Sequence, residues 1–191
     1  MSNAKFFAYI NETLGEYGIE GNRYKVSPSQ IADCNFLTAI YRERGFNYPK
    51  FHKMDELSKA GFLVSEMAIG SLTFPLDKKT TGVVFFNRES SLPTDINFEA
   101  TIKDADNFFP SPSVFVYTLP NILSGEVCIR NGFQGESSFY VLENLDINSI
   151  GNVCVDMLAT NSAVVCGWLE IVDGKIGAMA TVFTRDDLKK D

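Results

Sequence analysis

Histidine is almost absent from this sequence. His52 is the single histidine in 191 residues, and no two of the four cysteines form a Cys-x-x-Cys pair: Cys34, Cys128, Cys154 and Cys166. Zinc centres are built from closely spaced histidines and cysteines. The sequence therefore predicts no metal and no cofactor, and it predicts free thiols that pack as small apolar side chains.

Positive charge and long apolar runs are also scarce. The chain has 17 Lys and Arg against 24 Asp and Glu, which gives a formal net charge of -7. Nucleic-acid partners require a clustered excess of basic residues, so this class of partner is excluded. No apolar run reaches the roughly 18 residues that a membrane span needs, and the first residues lack the pattern of a signal peptide. We expect a cytoplasmic protein.

The hydrophobic content of 45% is that of a globular protein, and we interpret residues 1–191 as a single domain. Apolar runs predict strands at 5–10, 81–86, 137–142, 163–172 and 176–184. Helical patterns cover 29–44, 54–69, 94–102, 118–130 and 147–160. Asp173 and Gly174 predict a tight hairpin turn. This order predicts an α/β fold with a mostly parallel five-stranded sheet, helices on both faces and one antiparallel edge strand.

The segment 108–135 reads FFPSPSVFVYTLPNILSGEVCIRNGFQG. Pro120 suits the first turn of a helix, and Gly132 suits a left-handed cap at its end. The phrase from Tyr117 to Asn121, followed by Gly125-Glu126, Ile129-Arg130 and a Gly-x-x-Gly turn, resembles the amino-terminal domain of β-ketoacyl synthases in the thiolase-like superfamily. The resemblance covers about two thirds of the chain. More narrowly, it resembles the short chain length factors of bacterial aryl polyene and related pigment pathways.

The nucleophilic cysteine of that family is missing. At the family's spacing its position falls on Glu143 and Asn144, in the run FYVLENLD, and neither can form a thioester. Condensation also needs imidazoles, usually two. A pair of His52 with Cys154 or Cys166 stays open as an alternative. Glu143 and Asn144 either begin a helix that Asn144 or Asp146 caps, or mark a vestigial acyl pocket.

The resemblance implies partners. In ketosynthases the strand after the Gly-x-x-Gly turn pairs with a twin, so the strand at 137–142 is a candidate edge for a ketosynthase subunit or a second copy. Candidate residues for an acyl pocket or interface are Tyr117, Thr118, Asn121, Ser137, Phe139 and Val141. Acyl carrier proteins are acidic, and candidates for docking one are Arg42, Arg44, Lys50 and Lys53, beside His52. The alternative is that these basic groups form a solvated surface.

Three functional hypotheses follow from these observations. The first is a non-catalytic, chain-length-factor-like subunit that acts with an active 3-oxoacyl-ACP synthase in fatty acid or polyketide biosynthesis. The second is a homodimeric protein that binds an acyl chain or an acyl carrier protein without condensing activity. Residual acyl transfer by a small enzyme is a third, for which few catalytic groups are available.

Overall fold

A single seven-stranded sheet organises the chain in this computed structural model, which describes residues 6–189. The strands are β1 (Phe7–Asn11), β2 (Glu16–Ile19), β3 (Asn22–Lys25), β4 (Thr81–Asn87), β5 (Ser137–Val141), β6 (Ala163–Val172) and β7 (Lys175–Thr184). Their order across the sheet is β3-β2-β1-β7-β6-β4-β5. The sheet therefore has β3 at one edge and β5 at the other.

Six α-helices accompany the strands within the described residues: α1 (Phe36–Glu43), α2 (Glu56–Gly70), α3 (Leu92–Glu99), α4 (Pro112–Val116), α5 (Ile122–Asn131) and α6 (Ile147–Thr160). Short 3-10 turns occupy Pro49–Lys53, Ala105–Asn107 and Arg185–Lys189. Between residues 6 and 189, no helix combines the length and the apolar character needed to cross a bilayer. The helix predicted at 118–130 begins only at Ile122, and it ends at Gly132 in the predicted left-handed conformation, with φ 72°.

The prediction of a mostly parallel, five-stranded sheet is wrong. Parallel pairing is confined to β4, which lies between β5 and β6. The pairs β6–β7, β7–β1, β1–β2 and β2–β3 are antiparallel. The predicted β6–β7 hairpin is confirmed, but β7 is internal, because β1 pairs with its other side. The alternation of strands and helices holds only for the β4 to β6 part of the chain. Lys5, which opened the first predicted strand, lies outside the described residues.

Two strands that were not predicted account for much of this difference. β2 and β3 form a hairpin after β1, within the segment expected to be irregular. Their turn is Glu20–Gly21, with φ values of 48° and 83°. The turn between β6 and β7 is Asp173–Gly174, with φ values of 50° and 70°. Both turns place two successive residues in the left-handed region, which matches the twist of a tight β-hairpin.

Helices cover both faces of the sheet, as predicted. α2 packs on one face against β1, β6 and β7, and α5 packs beside it against β4 and β5. This face holds the larger core, which includes Phe62, Phe85 and Leu169. α6 packs on the other face over β4 and β6, around a smaller core that includes Phe86 and Trp168. The strand β4 is buried along its whole length because both of its faces are covered.

Candidate functional site

The loop that carries Glu143 and Asn144 lies at the carboxyl end of the parallel strands. The amide of Leu142 donates to the carbonyl of Asn87 at 2.9 Å, which ties the end of β5 to the end of β4. Glu143 and Asn144 follow, and both side chains are exposed. Ligand sites of α/β sheets typically form at this end of the strands. The position that resembles the nucleophile is therefore accessible, and it carries a carboxylate and an amide in place of a thiol.

Asp146 caps the helix that follows this loop. Its carboxylate accepts the amide of Asn148 at 3.0 Å and the hydroxyl of Ser149 at 2.6 Å. The hydrogen bond from Ser149 is the main cause that lowers the pKa of Asp146 below 3.8. Of the two caps expected for α6, Asp146 is the one observed, and Glu143 and Asn144 precede the helix.

Tyr117 lies at the end of α4 and belongs to a buried polar cluster. Its hydroxyl donates to Glu126 of α5 at 3.3 Å, and the hydroxyl of Tyr48 donates to the same carboxylate at 3.4 Å. The ammonium of Lys50 lies 2.8 Å from Glu126. Burial, followed by the neighbouring Glu126 carboxylate, raises the pKa of Tyr117 well above 10. Tyr117 is therefore a neutral hydrogen-bond donor at physiological pH.

A cleft of about 430 Å³ opens beside Tyr117. It lies between the start of α2, α3 and the start of α4, and its polar lining residues are Lys53, Asp55, Glu56, Thr94, Asn97 and Ser113. The hydroxyl of Thr94 donates to Asp55 at 2.6 Å, and Asp55 also caps α2 through the amide of Ser58. The volume lies within the range of ligand-binding clefts in proteins.

The other residues predicted near Tyr117 have mainly structural contacts. The Thr118 hydroxyl donates to the carbonyl of Phe115 at 2.7 Å, and the Thr118 carbonyl accepts Ser91 at 2.6 Å. Asn121 precedes α5 without a side-chain capping bond, and its side chain is exposed. Thr118 and Asn121 are therefore close to Tyr117 along the chain, but neither lines the cleft.

The strand β5 is an open edge of the sheet, as the sequence predicted. Phe139 packs toward the larger core, whereas Ser137 is exposed and Val141 is 52% exposed. The amide of Leu142 points to β4, so by the alternation of a parallel ladder the amides of Phe139 and Val141 point to the open edge. Large apolar side chains of the neighbouring α3–α4 region are exposed as well: Leu92, Ile96, Phe108, Phe109, Phe115, Val116 and Leu119.

The basic residues proposed for docking lie at the end of α1 and in the 3-10 turn, which pack together through Tyr41 and Phe51, but most have partners within the chain. Arg42 pairs with Asp33 at 3.5 Å, and the guanidinium of Arg44 lies 5.7 Å from the centre of the Tyr24 ring. Lys50 pairs with Glu126, as described above. Lys53 lines the cleft. These contacts reduce the positive charge that the segment offers to an acidic partner.

The structure does not bring His52 and the thiols together. His52 packs edge-on against Tyr41 and Phe51, which belong to the core on the α2 face. Cys154 and Cys166 are buried in the core on the α6 face. A hydrogen bond between the two thiols, together with burial, raises the pKa of Cys166. The sheet separates His52 from both cysteines, so the proposed cysteine–histidine pair is wrong.

Glu126 is the polar group that sequence reasoning did not single out. Its side chain is 4% exposed, and the neighbouring α5 residues Leu123 and Val127 are buried. The sequence does contain a sign that Glu126 is buried. The helical spacing from Leu123 and Val127 places Glu126 on the apolar face of the predicted helix. A carboxylate on that face needs buried hydrogen-bond donors, which Tyr48, Tyr117 and Lys50 provide.

Comparisons with known proteins point to one fold. No protein-family model matches the sequence, and no curated protein matches it significantly. The ishigamide ketosynthase/chain length factor structure superposes with a TM-score of 0.60 and 16% identity, over 78% of this chain and 48% of that one. A ketosynthase in complex with its chain length factor from Xenorhabdus doucetiae superposes with a TM-score of 0.58 and 13% identity, over 73% of this chain and 62% of that one.

A third similar structure is that of a type II PKS acyl-carrier protein in complex with its ketosynthase bound to the hexaketide. Its TM-score is 0.56 at 15% identity, over 83% of this chain and 61% of that one. The chain thus spans less than two thirds of the length of these similar structures. Similarity at this level of identity concerns the fold and not the function. The chain has a fold similar to that of these ketosynthase and chain length factor structures.

Proposed function

We propose that this protein is a non-catalytic, chain-length-factor-like subunit that pairs with an active 3-oxoacyl-ACP synthase in fatty acid or polyketide biosynthesis. The observation that carries the proposal is the exposed Glu143–Asn144 pair at the end of β5, in a ketosynthase-like fold. A carboxylate and an amide at this position cannot carry an acyl thioester. His52, the single histidine of the sequence, packs edge-on against Tyr41 and Phe51.

The open edge of β5 supports pairing with another protein. The outward amides of Phe139 and Val141 can extend the sheet by backbone hydrogen bonds. The exposed apolar side chains of α3 and α4 lie beyond the carboxyl end of the parallel strands. The Ser91 hydroxyl, just before α3, donates to the carbonyl of Thr118, just after α4, and so holds the two helices together. An apolar surface of this kind is typical of a protein–protein interface. Both features suit a ketosynthase partner that contributes the catalytic groups.

An acyl carrier protein is the second partner that we propose. The basic segment from Arg42 to Lys53 is the candidate docking surface, although its internal contacts limit the available charge. Lys53 is exposed, and it lines the cleft. If docking depends on this segment, Lys53→Glu weakens binding of an acyl carrier protein, and Lys79→Glu, at an exposed lysine before the amino end of β4, does not.

Co-expression with a ketosynthase from the same cell tests the main proposal. We expect a stable complex by affinity purification and light scattering. Val141→Pro removes an amide that points to the open edge and that β4 does not use, so it should abolish the complex while the isolated protein stays folded. Arg23→Pro is the matched control, because the Arg23 amide points away from β2 at the other edge of the sheet and its side chain is exposed. Failure of every such ketosynthase to bind would overturn the proposal.

The cleft beside Tyr117 supports a second candidate, a homodimeric protein that binds an acyl chain or an acyl carrier protein. Its volume of about 430 Å³ is sufficient for a small ligand. Native mass spectrometry of the purified protein distinguishes the two candidates. A bound lipid in the absence of any ketosynthase favours the binding protein, and an empty protein that binds only a ketosynthase favours the subunit.

A further inference from the structure

The cleft beside Tyr117 combines an apolar lining with a few charged groups. Its apolar residues come from the start of α2, from α3 and α4, and from the end of β6: Met54, Leu57, Pro93, Val114 and Ile171. The space of about 430 Å³ equals roughly 14 water molecules at liquid density. The cleft therefore has room for an apolar body the size of a small aromatic compound.

Three charged side chains line the cleft, and one of them is neutralised within the chain. These residues are Lys53, Asp55 and Glu56. Glu56 pairs with Lys59 at 3.0 Å, and the side chain of Lys59 is only 13% exposed. Within residues 6–189, neither Lys53 nor Asp55 has an ion pair. The cleft thus presents one anion and one cation that the described chain leaves uncompensated.

Asp55 is fixed in place and retains capacity to accept hydrogen bonds. Its carboxylate accepts the amide of Ser58 at 2.9 Å and the hydroxyl of Thr94 at 2.6 Å. An ionised carboxylate has about four acceptor positions, so about two remain. Asp55 is partly buried, and Thr94 is buried beside it. A ligand ammonium can therefore bind this carboxylate without displacing a cation of the protein, and the orientation of the carboxylate is already set.

Lys53 supplies the positive charge at the exposed side of the cleft. The two neighbouring lysines are engaged, because Lys50 pairs with Glu126 and Lys59 pairs with Glu56. Lys53 is exposed at the end of the 3-10 turn, two residues before Asp55. The two charges do not pair with each other, so the gap between them is wider than a direct contact. A molecule that carries both an ammonium and a carboxylate can bridge such a gap.

We propose that the cleft binds a zwitterion with an apolar body, of which an α-amino acid with a large apolar side chain is the simplest example. Its ammonium donates to Asp55, and its carboxylate accepts from Lys53. Its side chain packs on the apolar lining next to Leu57 and Val114. This arrangement gives each free charge of the cleft a partner of opposite sign, and it covers apolar surface at the same time.

The charges favour this class over other ligands of similar size. A fatty acid or a phosphorylated compound brings negative charge toward Asp55, which has no cation beside it to offset the repulsion. An uncharged acyl group covers Asp55 and leaves its remaining acceptor positions without donors. The inference does not depend on the proposed ketosynthase partner, because Glu143 and Asn144 are not part of the lining.

Titration calorimetry of the full chain with three related compounds tests the inference. The probes are L-phenylalanine, 2-phenylethylamine, which lacks the carboxylate, and 3-phenylpropionate, which lacks the ammonium. We expect L-phenylalanine to bind with a dissociation constant below about 1 mM. The amine should bind about threefold more weakly, since water screens the exposed Lys53. The acid should bind at least about tenfold more weakly, because it leaves Asp55 without a donor.

Two variants separate the charges. Asp55→Asn keeps the shape of the side chain and the cap of α2, since asparagine is an equally good N-cap. It should weaken the binding of L-phenylalanine and of the amine at least about tenfold, with little change in the melting temperature of the free protein. Lys53→Met should weaken the binding of L-phenylalanine about threefold and leave the amine unaffected. Asp146→Asn, the same change at the cap of α6, and Lys79→Met, at an exposed lysine outside the lining, are the matched controls.

Three outcomes would overturn the inference. The first is no binding of L-phenylalanine at concentrations on the order of 10 mM. The second is binding that Asp55→Asn and Lys53→Met leave unchanged. The third is tighter binding of octanoate than of L-phenylalanine, which would assign the cleft to an acyl chain. The ketosynthase complex is tested by Val141→Pro, outside the cleft, so failure of one proposal is distinguished from failure of the other.

Discussion

Lys50 and Glu126 form an ion pair across the boundary between surface and core. The ammonium lies 2.8 Å from a carboxylate oxygen, and the lysine side chain is 45% exposed whereas that of Glu126 is 4% exposed. The two tyrosine hydroxyls of Tyr48 and Tyr117 complete the shell of the carboxylate. This pair fixes the 3-10 turn Pro49–Lys53 against α5, and Lys53 at the end of that turn lines the cleft.

Removal of Lys50 leaves a buried carboxylate without its cation. We expect Lys50→Met to lower the free energy of unfolding by roughly 1–3 kcal/mol, less than for a fully buried pair because water reaches the lysine. Adding Glu126→Gln should restore part of the loss. Arg42→Met, which removes the exposed pair with Asp33, should change stability by less than about 0.5 kcal/mol. Urea unfolding of the four proteins measures these differences, and equal effects of both single changes would contradict the assignment.

Gly135 is required by space. A Cβ at this position would meet the Asn161 side chain and the carbonyl of Thr81, which is backbone and cannot move aside. Gly135→Ala is expected to destabilise the protein by about 1–3 kcal/mol. Gly125→Ala is the matched control, since nothing lies near that position in α5, and alanine there should stabilise by about 0.5–1 kcal/mol. Thermal unfolding measures the loss of stability in Gly135→Ala and the gain in Gly125→Ala. An unchanged stability of Gly135→Ala would contradict the prediction, because it would show that the backbone around Gly135 can move to accommodate a Cβ.

The cap of α6 predicts a dependence on pH. The folded-state pKa of Asp146 lies below its unfolded value, so the cap contributes stability above about pH 3.8, and this is lost as the pH falls through the lowered pKa. Ser149→Ala should move the pKa of Asp146 back upward because it removes the 2.6 Å hydrogen bond. A ¹³C NMR titration of the carboxyl measures this shift. Ser113→Ala, on α4, should leave it unchanged.

The four thiols should differ in reactivity. Cys154 and Cys166 are buried against each other, and burial also raises the pKa of Cys128. We expect Cys34 to react first with a disulfide reagent in the native protein, and Cys154 and Cys166 to react only after unfolding. Mass spectrometry of labelled peptides identifies the order. Fast labelling of Cys166 in the folded protein would revive a catalytic role for that thiol.

The sequence predicts β4, β5, α6 and β6 well because each has a clear pattern, whereas α4 was not predicted and α5 begins later than expected. The run at 81–86 is continuously apolar and forms the buried β4, and the Asp173–Gly174 turn joins β6 to β7. The β2–β3 hairpin was missed although Glu20–Gly21 adopts the same turn. Asparagine or aspartate before glycine marks such turns, and glutamate rarely adopts a positive φ.

The environment of the candidate site depended on tertiary contacts that a linear pattern does not specify. The exposed Glu143 and Asn144 follow from their place after β5, and that place was predicted. The ion pair of Lys50 with Glu126 joins residues far apart in the chain. The docking surface is a second example. The sequence shows that Arg42, Arg44 and Lys50 form a basic cluster, whereas their partners Asp33, Tyr24 and Glu126 are known only from the fold.

The two edges of the sheet differ in a way that limits growth. β3 has four residues, and Arg23 and Lys25 are exposed along it. Short strands with basic side chains are poor templates for adding a further strand. Within residues 6–189, sheet extension is therefore favoured at β5 over β3, and strand addition at one edge of each chain gives closed pairs rather than fibrils. Once the β5 edge of a chain is paired, no equally good edge remains in the described part of that chain for a further strand.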